Sequence, residues 1–151
     1  MSVVKLAVID AIAAEVEAVS SIKTVMVCPS TPIERDSVIY PSAFLFDEDE
    51  TVTPRNRLEF GTFLMHVEIW AEGVAVRRML EDIRGEVKKN LYNSEVLKGL
   101  SARIRETTVS HFEVEQESES EDVVIGMGGI VILYEVAYLT KYRDPFTQLN
   151  Y

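Results

Sequence analysis

Cys28, His66 and His111 carry the most reactive side chains of this sequence, and their spacing bounds the chemistry available to it. A cysteine nucleophile needs a base beside it, and either histidine would serve, since such partners need only meet in space. No local signature of a thiol enzyme surrounds Cys28. The two histidines stand 45 residues apart, without the HxxxH or HExxH spacing that sets two ligands on one helix face. Cys28 therefore reads as a small buried residue of a strand, and each histidine as part of a partly solvated strand face. Two acidic runs remain. "DEDE" covers Asp47, Glu48, Asp49 and Glu50, and "FEVEQESESED" carries Glu113, Glu115, Glu117, Glu119, Glu121 and Asp122 with no Lys or Arg among them. Calcium favours several carboxylate oxygens, but "DEDETVT" lacks the glycine and the terminal glutamate of a helix–loop–helix calcium loop. No GxxxxGK[ST] or GxGxxG run occurs, and "GMGG" at 126–129 reads as a hairpin or bulge rather than a phosphate cradle. The expectation is a protein without catalytic residues, cofactor or metal.

Charge narrows the partners further. Fifteen basic against 25 acidic residues leave a formal charge of −10. Tight nucleic-acid binding depends on cations that displace counterions from phosphates, so this balance argues against a DNA-gripping protein. It says nothing against DNA passing close by. The longest apolar runs fall far short of the roughly 20 residues of a membrane helix. The N-terminal "MSVVKLAVIDAIAAEVEAV" is broken by Asp10, Glu15 and Glu17 where a signal peptide stays apolar. A lone cysteine excludes an intrachain disulfide and fits synthesis in a reducing compartment.

At 151 residues the chain is expected to form one domain, residues 1–151. Leu6, Ile9, Ile12 or Ala13, Val16 and Val19 predict an amphipathic helix over 3–20. "IKTVMVC" (22–28) and "PSAFLF" (41–46) read as strands, joined by a proline-containing loop over 29–40. "DEDETVTPRNR" (47–57) reads as a long polar hairpin loop, with Arg55 and Arg57 able to pair with its own carboxylates or with a neighbour's. Residues 57–71 alternate and predict a strand reaching roughly 50 Å at about 3.3 Å per residue, long enough to overhang its domain. Val76, Met79 or Leu80, Ile83, Val87 and Leu91 predict a second helix over 74–91, and "NSEVLKGL" a short third turn capped by Asn93 or Ser94. The chain turns β-like again from Arg103 to Glu117. "GMGGIVILYEVAYLTKY" (126–142) is apolar on both faces and predicts a central strand. "RDPFTQLNY" closes the sequence as an extended tail over about 143–151. The fold class is α+β: a mainly antiparallel sheet of about four to five strands packed by two main helices. Long strands with unpaired edges recruit other chains, and a head-to-tail contact that closes makes a ring.

Taken together, "YPSAFLF", "FGTFLMHVEIWAEG", "RRMLEDIRGEVKKNLYNSEVLKGL" and "GGIVILYEVAYLTKYRDP" resemble the tail terminator (tail completion) proteins of long-tailed bacteriophages over nearly the whole chain. The C-terminal strand with Tyr134, Val136, Tyr138, Tyr142, Asp144 and Pro145 is the most telling part. Asn93 stands where that pattern has an acidic residue, and head-to-tail joining proteins share the order of elements. The resemblance implies a hexameric ring at the head-proximal end of the tail tube. Such a ring stops tube elongation and offers a docking surface to the connector, with duplex DNA passing through its lumen. The implied partners are the tail tube protein, the head-tail connector or neck proteins and, in a contractile tail, the sheath; assembly takes place in the host bacterial cytoplasm, and the place is the virion. It implies no cofactor and no catalytic residues. A neck or head-closure protein is the alternative within the same class, and a small enzyme or ligand-binding domain using Cys28, His66 or His111 the alternative outside it. Within a ring, the six carboxylates between Glu113 and Asp122 become candidates for the lumen, where they would keep phosphates from adhering within a Debye length of about 8 Å. The competing reading is a solvated outer hairpin. Asp47 to Glu50, with Arg55 and Arg57, become the candidate tube or subunit contact.

Overall fold

The computed structural model describes residues 3–29, 38–114, 126–141 and 144–148. In chain order these form α1 (Val4–Glu17), β1 (Thr24–Val27), β2 (Ser42–Asp47), β3 (Thr51–Arg55), β4 (Leu58–Gly73), α2 (Val76–Tyr92), α3 (Glu95–Gly99), β5 (Arg103–Val114), β6 (Gly126–Lys141) and β7 (Asp144–Gln148). Alternation in β4 sets the centre of the molecule: Phe63, Met65, Val67, Ile69 and Ala71 are all buried, and the residues between them only half so. A pleated strand achieves this only when one face meets a core. β6 is antiparallel to β4 along its whole length, from Leu58↔Lys141 to Gly73↔Gly126. It contributes Ile130, Ile132, Tyr134, Val136 and Tyr138 to the same buried face.

The sheet order is β1-β2-β4-β6-β5, with β3 added to β4 beyond β2 and β7 added to β6. Only β1 and β2 run parallel. Helices α1 and α2 lie on one face, where Val8, Ile12 and Val16 of the first and Leu80, Ile83, Val87 and Leu91 of the second join the strand side chains in one cluster. Ser94 caps α3 by accepting the Leu97 amide at 3.1 Å, a role that suits serine at a helix start. Fully burying a Leu or Ile side chain contributes about 1.5–3 kcal/mol each, so this shared cluster is what seats the helices on the sheet.

Several expectations are corrected. The sheet has seven strands rather than four or five. The polar run 47–57 is not one long loop: Thr51 to Arg55 forms β3, and only Asn56 and Arg57 make the turn, with Asn56 at φ 57°. Asparagine tolerates that conformation in tight hairpins, and Pro54 is accommodated because β3 is an edge. β3 and β7 flank the first five residues of β4 and the last residues of β6, so the long strand is bordered by partners there rather than left bare. The C-terminal tail is likewise not patternless; Asp144 to Gln148 is a strand, whose Asp144 carboxylate accepts the Phe146 amide at 3.1 Å and the Thr147 hydroxyl at 2.6 Å. Leu6 is 54% exposed, because the buried stripe of α1 runs through Val4, Val8, Ile9 and Ala11 instead. "GMGG" is neither hairpin nor bulge but the start of β6. Its Gly129 leaves the space that the Phe112 ring fills, and Gly128 admits Val76.

Candidate functional site

The residues singled out as reactive are dispersed. Cys28 follows β1 at one sheet margin and His111 lies on β5 at the other. The four strand spacings between them, each about 4.8 Å, set them roughly 19 Å apart. Cys28 is exposed at φ 45°, not buried in a strand as expected, because the chain bends as β1 ends. Its thiol donates to Asp47 at 3.2 Å. Burial, together with the neighbouring carboxylate, pushes the thiol above its ordinary value, the opposite of an activated nucleophile. Burial also works against ionisation of Asp47, but the hydrogen bonds from Lys5 and Cys28 prevail and hold its carboxyl below the usual range. No group of three or more His, Cys, Asp or Glu side chains among the described residues could hold a metal.

Both histidines occupy partly buried strand positions as expected. His111 lies 2.6 Å from Glu81 as part of a polar clamp between α2 and β5. Arg84 grips Glu106 with two donors, at 3.2 and 2.6 Å, and reaches Glu81 at 2.9 Å, while Lys88 approaches Glu106 at 3.6 Å. The Arg84 hydrogen bonds outweigh burial and hold the Glu106 carboxyl below its ordinary value; the His111 contact does the same for Glu81. A bulge makes this clamp possible. The β5–β6 register slips between Glu106 and Thr108, so Glu106 and His111, five positions apart, both face the helices although simple alternation would oppose them.

The opposite face of the sheet carries the most distinctive surface. Trp70 meets Phe44 and Phe112 edge to face at centroid distances of 6.3 and 5.7 Å, and Phe46 meets His66 at 5.8 Å. Register brings Leu133 and Val131 beside His66 and Glu68. No described helix packs on this face, because all three join the core on the other side. Except for Phe44, buried between its neighbours, these side chains remain half-buried. In its middle Glu68 accepts the Trp70 indole at 2.7 Å, while the buried His66 Nε2 has no hydrogen-bond partner. In the sequence this face is only the second side of alternating strands. The density of aromatics became visible once β2, β4, β6 and β5 were placed side by side.

The acidic candidates divide. Asp47 pairs with Lys5 at 3.0 Å, and Glu50, 3.6 Å from Lys5, accepts the Tyr138 hydroxyl. Glu48 and Asp49 are exposed. Arg55 and Arg57 are exposed and form no ion pair with these carboxylates. Glu113 is exposed on the helix side of β5, opposite Gly128. Glu115, Glu117, Glu119, Glu121 and Asp122 lie outside the described residues. Of the C-terminal residues, Tyr134, Val136 and Tyr138 belong to the core, Asp144 and Pro145 begin β7, and Tyr142 lies outside the described residues. No protein-family model matches the chain, and no curated protein does.

Proposed function

We propose that this chain is a structural subunit that assembles with copies of itself into a ring at the head-proximal end of a bacteriophage tail tube. There it stops tube elongation and presents a docking surface to the head-tail connector. The observation that carries this reading is the sheet face bearing Phe46, Trp70, Phe112, Val131 and Leu133, on which none of the described helices packs. Contiguous apolar surface of this kind marks an interaction site rather than a solvated one. Among the described residues β1, β5 and β3 are sheet edges, whose outer backbone groups a neighbouring chain can pair. With Cys28 and His111 at opposite sheet margins, assembly accounts for these features better than catalysis does. The formal charge of −10 suits a ring that lets DNA pass without retaining it, and Glu113 is the described member of the proposed lumen set.

Light scattering coupled to size exclusion, with negative-stain imaging alone and after mixing with tail tubes, tests the proposal. A sixfold ring that localises to one end of each tube is expected. A chain that stays monomeric at all concentrations and ignores tube ends would refute it, and binding to portal-side proteins instead would place it in the neck. Exchange of Glu113, Glu115 and Glu117 for Lys should slow DNA release at low salt; an unchanged rate would remove the lumen role.

A further inference from the structure

Glu68 stands in the middle of the aromatic sheet face, and any partner that covers the face must cover it too. Register sets Phe44 and Val131 beside it on the neighbouring strands, and Trp70 and His66 flank it on its own. Its side chain is 25% exposed; the carboxylate accepts the Trp70 indole at 2.7 Å and lies 3.9 Å from His66 Nε2. Among the described residues no Lys or Arg is within ion-pair distance of it. Enclosing a carboxylate beneath an apolar partner without a counter-charge is strongly unfavourable. The occupant of this face therefore brings a cation set among apolar side chains, which pairs with Glu68 and meets the Trp70 ring.

The other side of the same chain presents such a group. Val87 and Leu91 of α2 are buried in the core. Lys89, two positions from each, points the opposite way on a helix of about 3.6 residues per turn. Its ammonium is exposed and forms no ion pair among the described residues. Tyr92 and Val96, 41% and 59% exposed, follow it at the α2–α3 corner. Among the described residues no other Lys or Arg free of an ion pair has two exposed large apolar side chains within seven positions. Arg84, Lys88, Lys98 and Arg105 are already paired with carboxylates, and Arg77 and Arg78 have only Val74 beside them.

We infer that the α2–α3 corner of a second copy seats on the aromatic face, with Lys89 against Glu68 and with Tyr92 and Val96 against the aromatic side chains. The inference rests on the ring reading above and names the contact that builds the ring. The helices and the receiving face lie on opposite sides of one sheet. A contact between them joins two different surfaces, back to front, and such heterologous contacts propagate from copy to copy until the rotation closes.

Trp70 is the only tryptophan of the chain, so its fluorescence reports on this face alone. Sedimentation velocity of the full chain over a concentration series, with emission recorded on the same samples, should show a blue shift that tracks assembly. Lys89→Glu and Glu68→Lys should each weaken association about tenfold or more, as like charges meeting across an interface do, and together they should restore it. Val96→Asp should act in the same direction, whereas Arg77→Glu with Arg78→Glu should leave association unchanged. Lys89 and Val96 are exposed, so their variants are expected to keep the fold. Circular dichroism verifies this for every variant, and Glu68→Gln, which still offers the Trp70 indole an acceptor, supplies a milder change expected to weaken association severalfold. If the wild-type chain assembles without an emission shift, if Lys89→Glu and Val96→Asp assemble as well as wild type, or if the folded paired exchange fails to restore association, the corner contact is refuted while ring assembly stands. A wild-type chain that remains monomeric refutes both.

Discussion

Replacement of Glu106 by glutamine isolates the polar clamp between α2 and β5. Glu106 is 8% exposed and Arg84 is 27% exposed, and two hydrogen bonds join them. Breaking a fully buried ion pair costs about 3–5 kcal/mol, and losing an exposed one about 0–1 kcal/mol. This half-buried pair falls between, and Arg84 keeps Glu81 at 2.9 Å as a second partner, so the loss is expected at about 1.5–3 kcal/mol. For a chain of this size that corresponds to a fall in Tm of roughly 4–10 °C. Urea unfolding near neutral pH at fixed protein concentration measures it, and a cycle with Arg84→Met separates the coupling from either substitution alone. The pH dependence has a definite sign. The folded Glu106 carboxyl is held below the ordinary 4.5, so its stabilisation is fully present above that value and is lost as pH falls through the depressed folded one. Glutamine does not titrate, and the difference between wild type and variant should therefore close in acid. A deficit below about 0.5 kcal/mol near neutrality, or one that persists unchanged in acid, would refute the argument, since exposed pairs already account for that much.

Gly61→Val should destabilise the chain by about 1–3 kcal/mol, as overpacking does, because a Cβ there would lie 2.5 Å from the Tyr138 ring and against the Glu50 carboxylate. Urea midpoints decide it, and a neutral effect would mean that Tyr138 can move aside. Trp70→Ala removes two edge contacts, each contributing about 0.5–1.5 kcal/mol, and should lower monomer stability by roughly their sum. It should also impair assembly beyond what the stability loss explains, as shown by light scattering of folded protein at the same concentration. Normal assembly by this variant would exclude the aromatic face from the subunit contacts.

Periodicity made the helices and long strands legible. The alternation through residues 57–71 and the spacing of Val76, Ile83, Val87 and Leu91 identify sides that must be buried wherever the chain folds, because each apolar stripe needs a partner. A central place for β6 follows in the same way from two apolar faces. The charge of −10 and the missing ligand spacings also belong to the sequence alone. Other features depend on neighbours. β3 is exposed throughout and shows no apolar alternation, and β7 is five residues long; each is a strand because β4 or β6 extends past β2 and β5 and offers unpaired backbone groups. The bulge between Glu106 and Thr108 turns Glu106 and His111 to the same side, which period-two reading cannot anticipate. The aromatic face draws its residues from four strands between Phe44 and Leu133, and the hydrogen bond from the Tyr138 hydroxyl to Glu50 joins residues 88 positions apart. Local sequence determines which sides must be buried; long-range register determines which distant side chains share a surface.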